Sequence, residues 1–130
     1  MLRRIRRHLE GEGGFTLIEL IMVIVILAIL LALALPSYLQ TRKKAYIAEA
    51  NETLQEMRTA AWLVYIEKGS FSAPAPPADT TNWSYKYGGC TSAGPCTMTA
   101  TGKDGTPVDG ATVTLQLSSD GSASVTSSGF

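Results

Sequence analysis

The longest apolar stretch of the chain runs from Phe15 to Leu35, 21 residues of which only Thr16 and Glu19 are polar. About 20 such residues, rising 1.5 Å each, cross the hydrocarbon of a bilayer. The run therefore predicts a membrane-spanning helix. Pro36 follows at once. It lacks a backbone donor and crowds the preceding turn, so a kink or local melting is expected there. The alternative is a fresh helix opening at Pro36, with Ser37 beside it; both leave helix on either side. Tyr46, Ala50, Leu54, Met57, Ala61 and Val64 then recur at gaps of four, four, three, four and three. That spacing is one face of an amphipathic helix, placed over 37–68. Glu49, Glu52 and Glu56 line another side, with Arg42, Lys43, Lys44 and Arg58. Lys68 followed by Gly69 is a stop signal. From Phe15 to Ile66 this makes about 78 Å of nearly continuous helix.

After the helix the pattern changes. Residues 69–82 include "SAPAPPADTTN", a proline-rich surface loop. Then the period becomes two. Trp83, Tyr85 and Tyr87 alternate with polar residues, as do Met98 and Ala100, then Val113, Leu115 and Leu117, then Ala123 and Val125. Each set predicts a half-buried strand. "SSDG" at 118–121 is a hairpin turn and "GKDGTPVDG" at 102–110 a longer hairpin loop. Consecutive strands with short links favour an antiparallel meander over 83–126. The fold class is α+β: a long N-terminal helix, half of it in membrane, with its second half packed on a small C-terminal antiparallel sheet. The Thr/Ser face of that sheet should meet water.

Charge refines the picture. The chain carries 11 basic and 11 acidic residues, which argues against a general nucleic-acid binder. Arg3, Arg4, Arg6 and Arg7 all precede the apolar run, which keeps the N-terminus cytoplasmic and sends the rest outward. Arg42, Lys43 and Lys44 on the far side weaken that bias without reversing it. The segment beyond residue 36 is long enough for one modest core, hence one domain at 37–130. Cys90 and Cys96 enclose "TSAGP". A disulfide there contributes about 2.4 kcal/mol by loop entropy. A metal or redox pair is the alternative, although metal pairs usually have closer spacing and further Cys or His ligands.

Glu19 is the discordant residue, because a carboxylate in hydrocarbon is costly. A permanent membrane anchor leaves it unexplained. A secretory signal cut after "ALA" at 32–34 puts Glu19 at the edge of the apolar region and Pro36 just beyond the cut. "GGFTLIEL" at 13–20, ahead of an unbroken apolar run, resembles the N-terminus of type IV pilins and pseudopilins. The resemblance is close from residue 13 to about 36 and is one of architecture beyond it. It implies that residues 1–14 are a leader, cut after Gly14 by a prepilin peptidase on the cytoplasmic side, and that Phe15 becomes an N-methylated terminus. It also implies that residues 15–36 serve first as membrane anchor and then as filament core. Glu19 would pair with the α-ammonium of a neighbouring subunit and so set assembly register. Two charges that are costly alone are far less so together. Pro36 would be the helix kink. Snorkelling of Glu19 to the headgroups is the bland alternative. The 14-residue leader is longer than many in the archetypal subclass. The cysteine pair lies earlier than where many pilins pin their last segment.

His8 is the only histidine and lies in the leader. The processed chain therefore lacks Ser-His-Asp, Cys-His and histidine–metal chemistry. The reading is a non-enzyme without cofactor, itself the substrate of cleavage and methylation. Asp104, Asp109 and Asp120 sit in turn-like contexts, and Ca²⁺ is weighed there because pseudopilins often carry such a site. "TRKK" at 41–44 is assigned to acids of adjacent helices or lipid headgroups, with DNA phosphates weighed below them. The resemblance implies identical or related pilin subunits, the peptidase, an inner-membrane assembly platform, cytoplasmic ATPases and membrane lipid as partners. It implies a bacterial inner-membrane prepilin and then an extracellular pilus serving adhesion, twitching motility or DNA uptake. A pseudopilin of type II secretion is the alternative within the family. A single-span membrane protein with an extracellular binding domain is the alternative outside it.

Overall fold

The computed structural model describes residues 13–92 and 94–130. Arg3, Arg4, Arg6, Arg7 and His8, and with them most of the expected leader, lie outside the described residues. Contacts divide the chain into Met1–Gln40 and Thr41–Phe130. The element order is α1 (Leu17–Lys68), β1 (Trp83–Gly88), β2 (Cys96–Gly102), β3 (Thr112–Leu117) and β4 (Ala123–Ser128).

In the first unit, α1 is apolar all round and every residue from Gly13 to Gln40 is exposed. By length and composition it is able to cross a membrane. Pro36 lies inside α1, which is unbroken from Leu17 to Lys68.

In the second unit, the expected stripe buries Ala50, Leu54, Met57 and Ala61, while Tyr46 and Tyr65 pack partly against the same core. Gly69 ends the helix as a left-handed cap (φ 69°), its N–H donating to the Tyr65 carbonyl at 2.8 Å. The sheet is an antiparallel meander in the order β1-β2-β3-β4. Trp83 and Tyr85 of β1, Cys96, Met98 and Ala100 of β2, and Val113, Leu115 and Leu117 of β3 supply the inward face. Alternate burial along those strands is what a sheet with one dry face requires.

β4 departs from its pattern. All six of its residues are exposed, Val125 among them, although Val125 pairs with the buried Leu115. The buried core ends at β3, so β4, unlike the other edge strand β1, has nothing among the described residues packed over its face. The strand also continues to Ser128, beyond the expected limit at 126.

The 103–110 loop folds back on β2. Val108 and Ala111 are buried, and Gly102 N–H donates to the Ala111 carbonyl at 2.8 Å. A Cβ at Gly102 would collide with the Val108 carbonyl oxygen. That neighbour is backbone and cannot swing aside. Gly102→Ala is therefore expected to cost about 3 kcal/mol or more, because the loop must lift off its seat. Thermal unfolding of the full chain in detergent, followed by circular dichroism, should show a midpoint at least about 10 °C lower. An unchanged midpoint contradicts this packing.

Candidate functional site

The site is the head of α1. Thr16 stands directly before the helix, and its carbonyl accepts the Leu20 N–H at 3.2 Å. Its Oγ1 accepts the Glu19 N–H at 3.3 Å, and its own N–H donates to a Glu19 carboxylate oxygen at 3.0 Å. This reciprocal arrangement is a capping box with Thr at the cap and Glu three residues on. The first N–H groups of a helix have no partner within it, and an unpaired donor is costly in hydrocarbon. Glu19 thus has a function within its own chain: it finishes the helix it belongs to. The T-x-x-E spacing is legible in the sequence, but weighing Glu19 only as a buried charge passes over it.

The cap also fixes where the charge lies. Glu19 is held at the positive end of the helix macrodipole. With Phe15, Leu20, Met22 and Val23 it lines one shallow groove. Gly13 and Gly14 lead into this head. A Cβ at either would meet no atom within 4 Å, and neither has a left-handed φ.

Residues 11–35 match the family described as the prokaryotic N-terminal methylation motif. Over 72 residues the chain is 33% identical to a fimbrial protein of Pseudomonas aeruginosa, covering 55% of this chain and 47% of that one. It is 35% identical to the type IV major pilin protein PilA of Myxococcus xanthus over 69 residues, 53% of this chain and 31% of that one. Over about half of its length the chain is thus similar to type IV pilins and fimbrial proteins. It is also 41% identical to prepilin peptidase-dependent protein D of Escherichia coli strain K12 over 61 residues, 47% of this chain and 42% of that one. The matches span about half the length of these relatives or less. No solved structure matches the chain.

The remaining sequence-derived positions lie elsewhere. Cys90 and Cys96 are joined as a disulfide at the start of β2, with Cys96 fully buried. Asp109 accepts the Gly105 N–H at 3.1 Å, and Asp120 accepts the Ser122 hydroxyl and N–H at 2.6 and 2.8 Å. Those bonds, the Ser122 hydroxyl first, hold the Asp120 carboxyl below its ordinary pKa. Both aspartates act in turns. Among the described residues, no three His, Cys, Asp or Glu side chains are grouped to hold a metal ion.

The proline-rich loop is tied down by residues that a pattern reading places on a solvated face. Glu49 accepts Thr80 Oγ1 at 3.3 Å and Asn82 Nδ2 at 3.1 Å. Asp79 accepts the Tyr85 N–H at 3.2 Å and faces Lys103 Nζ at 3.7 Å. The Tyr85 N–H first, then Ser84 and Lys103, keep its carboxyl below its ordinary pKa. Tyr87 donates its hydroxyl to the Met57 carbonyl at 3.0 Å, and burial pushes its phenol pKa up.

Proposed function

We propose that this chain is a structural subunit of a type IV pilus. The observation that carries the reading is a capped apolar helix head, directly after Gly14, on a helix half that its own fold leaves wholly exposed. Such a surface needs lipid or other helices around it. The prepilin sits in the bacterial inner membrane by one span, with its N-terminus cytoplasmic. A prepilin peptidase cuts between Gly14 and Phe15, and Phe15 is methylated on its new amine. An assembly platform then moves the helix from lipid into a bundle of identical or related helices. Glu19 takes the α-ammonium of a neighbour, and Pro36 is the point where the helix bends to fit. Repeated head-to-tail contacts grow an open filament. Adhesion, twitching motility and DNA uptake are the roles such a filament serves.

Relatives named as fimbrial proteins and a major pilin support a filament subunit, and a secretion pseudopilus is the alternative. The test is removal of this chain from its bacterium. Sheared surface filaments should disappear, return on re-expression, and contain peptides from residues 41–130. Unchanged filaments that contain none of this chain contradict the proposal.

A further inference from the structure

The folded unit Thr41–Phe130 uses one face of α1 for its core and leaves the other bare. Ala48, Glu52, Glu56, Thr59, Leu63 and Ile66 recur at three- and four-residue gaps, and all six are exposed. Leu63 and Ile66 are 56% and 64% exposed, apolar side chains without cover.

Between residues 42 and 56 the basic side chains come first and the acidic ones after, and Arg58 beyond them is engaged with Gln55 and the Gly121 carbonyl. Lys43 and Lys44 lie at the start of this stretch. Three and four residues on stand Tyr46, Ile47 and Ala48, so neither lysine has an acid at helical pairing distance. Glu49, Glu52 and Glu56 follow at gaps of three and four, where like charges repel by about 0.2–0.5 kcal/mol per pair. Two neighbouring charges are already engaged. Arg42 donates to the Tyr46 hydroxyl at 3.1 Å, and Glu49 holds the proline-rich loop. Among the described residues the one ion pair is Lys103–Asp79, so Lys43, Lys44, Glu52 and Glu56 have no ion-pair partner there.

We propose that Lys43 and Lys44 of one copy dock against Glu52 and Glu56 on the bare α1 face of a second copy. The complementarity selects the occupant. Anionic headgroups satisfy the lysines and leave the glutamates repelling one another, whereas a second copy satisfies both. Leu63 and Ile66 supply the apolar part of the same surface. The two patches are different, so the contact is heterologous, and with an axial offset between neighbouring copies it repeats without closing. Lys44 to Glu52 is 8 residues and Lys43 to Glu56 is 13. At 1.5 Å per residue, parallel neighbours are therefore offset by about 12–20 Å. The inference rests on the pilus reading and adds to it a second register contact, outside the membrane segment.

The test uses filaments sheared from the native cells. A carbodiimide joins amines only to carboxylates in direct contact. Peptides linking Lys43 or Lys44 to Glu52 or Glu56 are expected, and one helix cannot form them across about 12 Å of its own length. Their absence from filaments that contain the chain overturns the docking while leaving the pilus reading intact. Charge reversal is the second arm. Glu52→Lys with Glu56→Lys should lower filament yield at least about tenfold, as should Lys43→Glu with Lys44→Glu, since like charges then face each other. The fourfold swap should restore yield to within about threefold of wild type. Wild-type yield from either double variant, or no recovery in the swap, overturns the docking. Absence of the chain from wild-type filaments removes the pilus reading and the docking together.

Discussion

Glu19→Gln is expected to give a chain that is inserted and processed normally and does not enter filaments. Glutamine serves at the third helical position of a capping box as glutamate does. The variant therefore keeps the bond to the Thr16 N–H and the shape of the helix head. It loses only the charge. In the proposed filament that charge faces the α-ammonium of a neighbour, and the ammonium would be buried alone. An uncompensated buried charge costs about 3 kcal/mol or more, at least about a hundredfold in assembly. Glu19→Ala removes cap and charge together and is expected to assemble no better. Membrane fractions report insertion, and sheared filaments report assembly. Wild-type filaments from Glu19→Gln, with none from Glu19→Ala, would assign Glu19 to its cap and end the pairing account.

Gly14→Val is expected to leave the leader attached. The fold gives no reason for glycine there: a Cβ has open space around it and the backbone is not left-handed. Valine at 14 should therefore leave α1 and the sheet as they are. In the proposed processing the requirement comes from the peptidase, whose cleft would hold the backbone closely on both sides of the scissile bond. The expected effect is nearly all-or-none: mature chain in the wild type, prepilin in the variant, the two separable by mass. Since the uncleaved chain offers no α-ammonium at Phe15, it should also yield no filaments. Removal of the leader at the wild-type position and extent in Gly14→Val contradicts the cleavage assignment.

Much of this was legible in sequence, because regular elements write their period into it. The gaps between Ala50, Leu54, Met57 and Ala61 mark the face that the structure buries, and alternation marks β1 to β3. Gly69 stops α1 where its left-handed freedom is needed. Alternation fails at β4, since Ala123 and Val125 show the period of a half-buried strand and are exposed. Period tells which residues share a face, and it does not tell whether anything covers that face. Glu49 and Asp79 were illegible for another reason. Thr80 and Asn82, the partners of Glu49, and Lys103, a partner of Asp79, lie on distant segments that only the folded chain brings together, and Tyr85 meets Asp79 across an irregular turn with no periodic signal. Phe71 is similar: it lies past the helix stop in an irregular segment, yet it is buried and stacks on Tyr65 at 4.5 Å. At the candidate site, the glutamate and the apolar run were plain, and the cap that joins Thr16 to Glu19 needed only the spacing between them.

All of the functional account depends on a free amine at Phe15. Intact mass with N-terminal sequencing of the chain purified from its own cells tests it most directly. A chain that begins at Phe15 and carries one added methyl is the predicted result. A chain that begins at Met1, or at Leu35 after a signal-peptide cut, contradicts it.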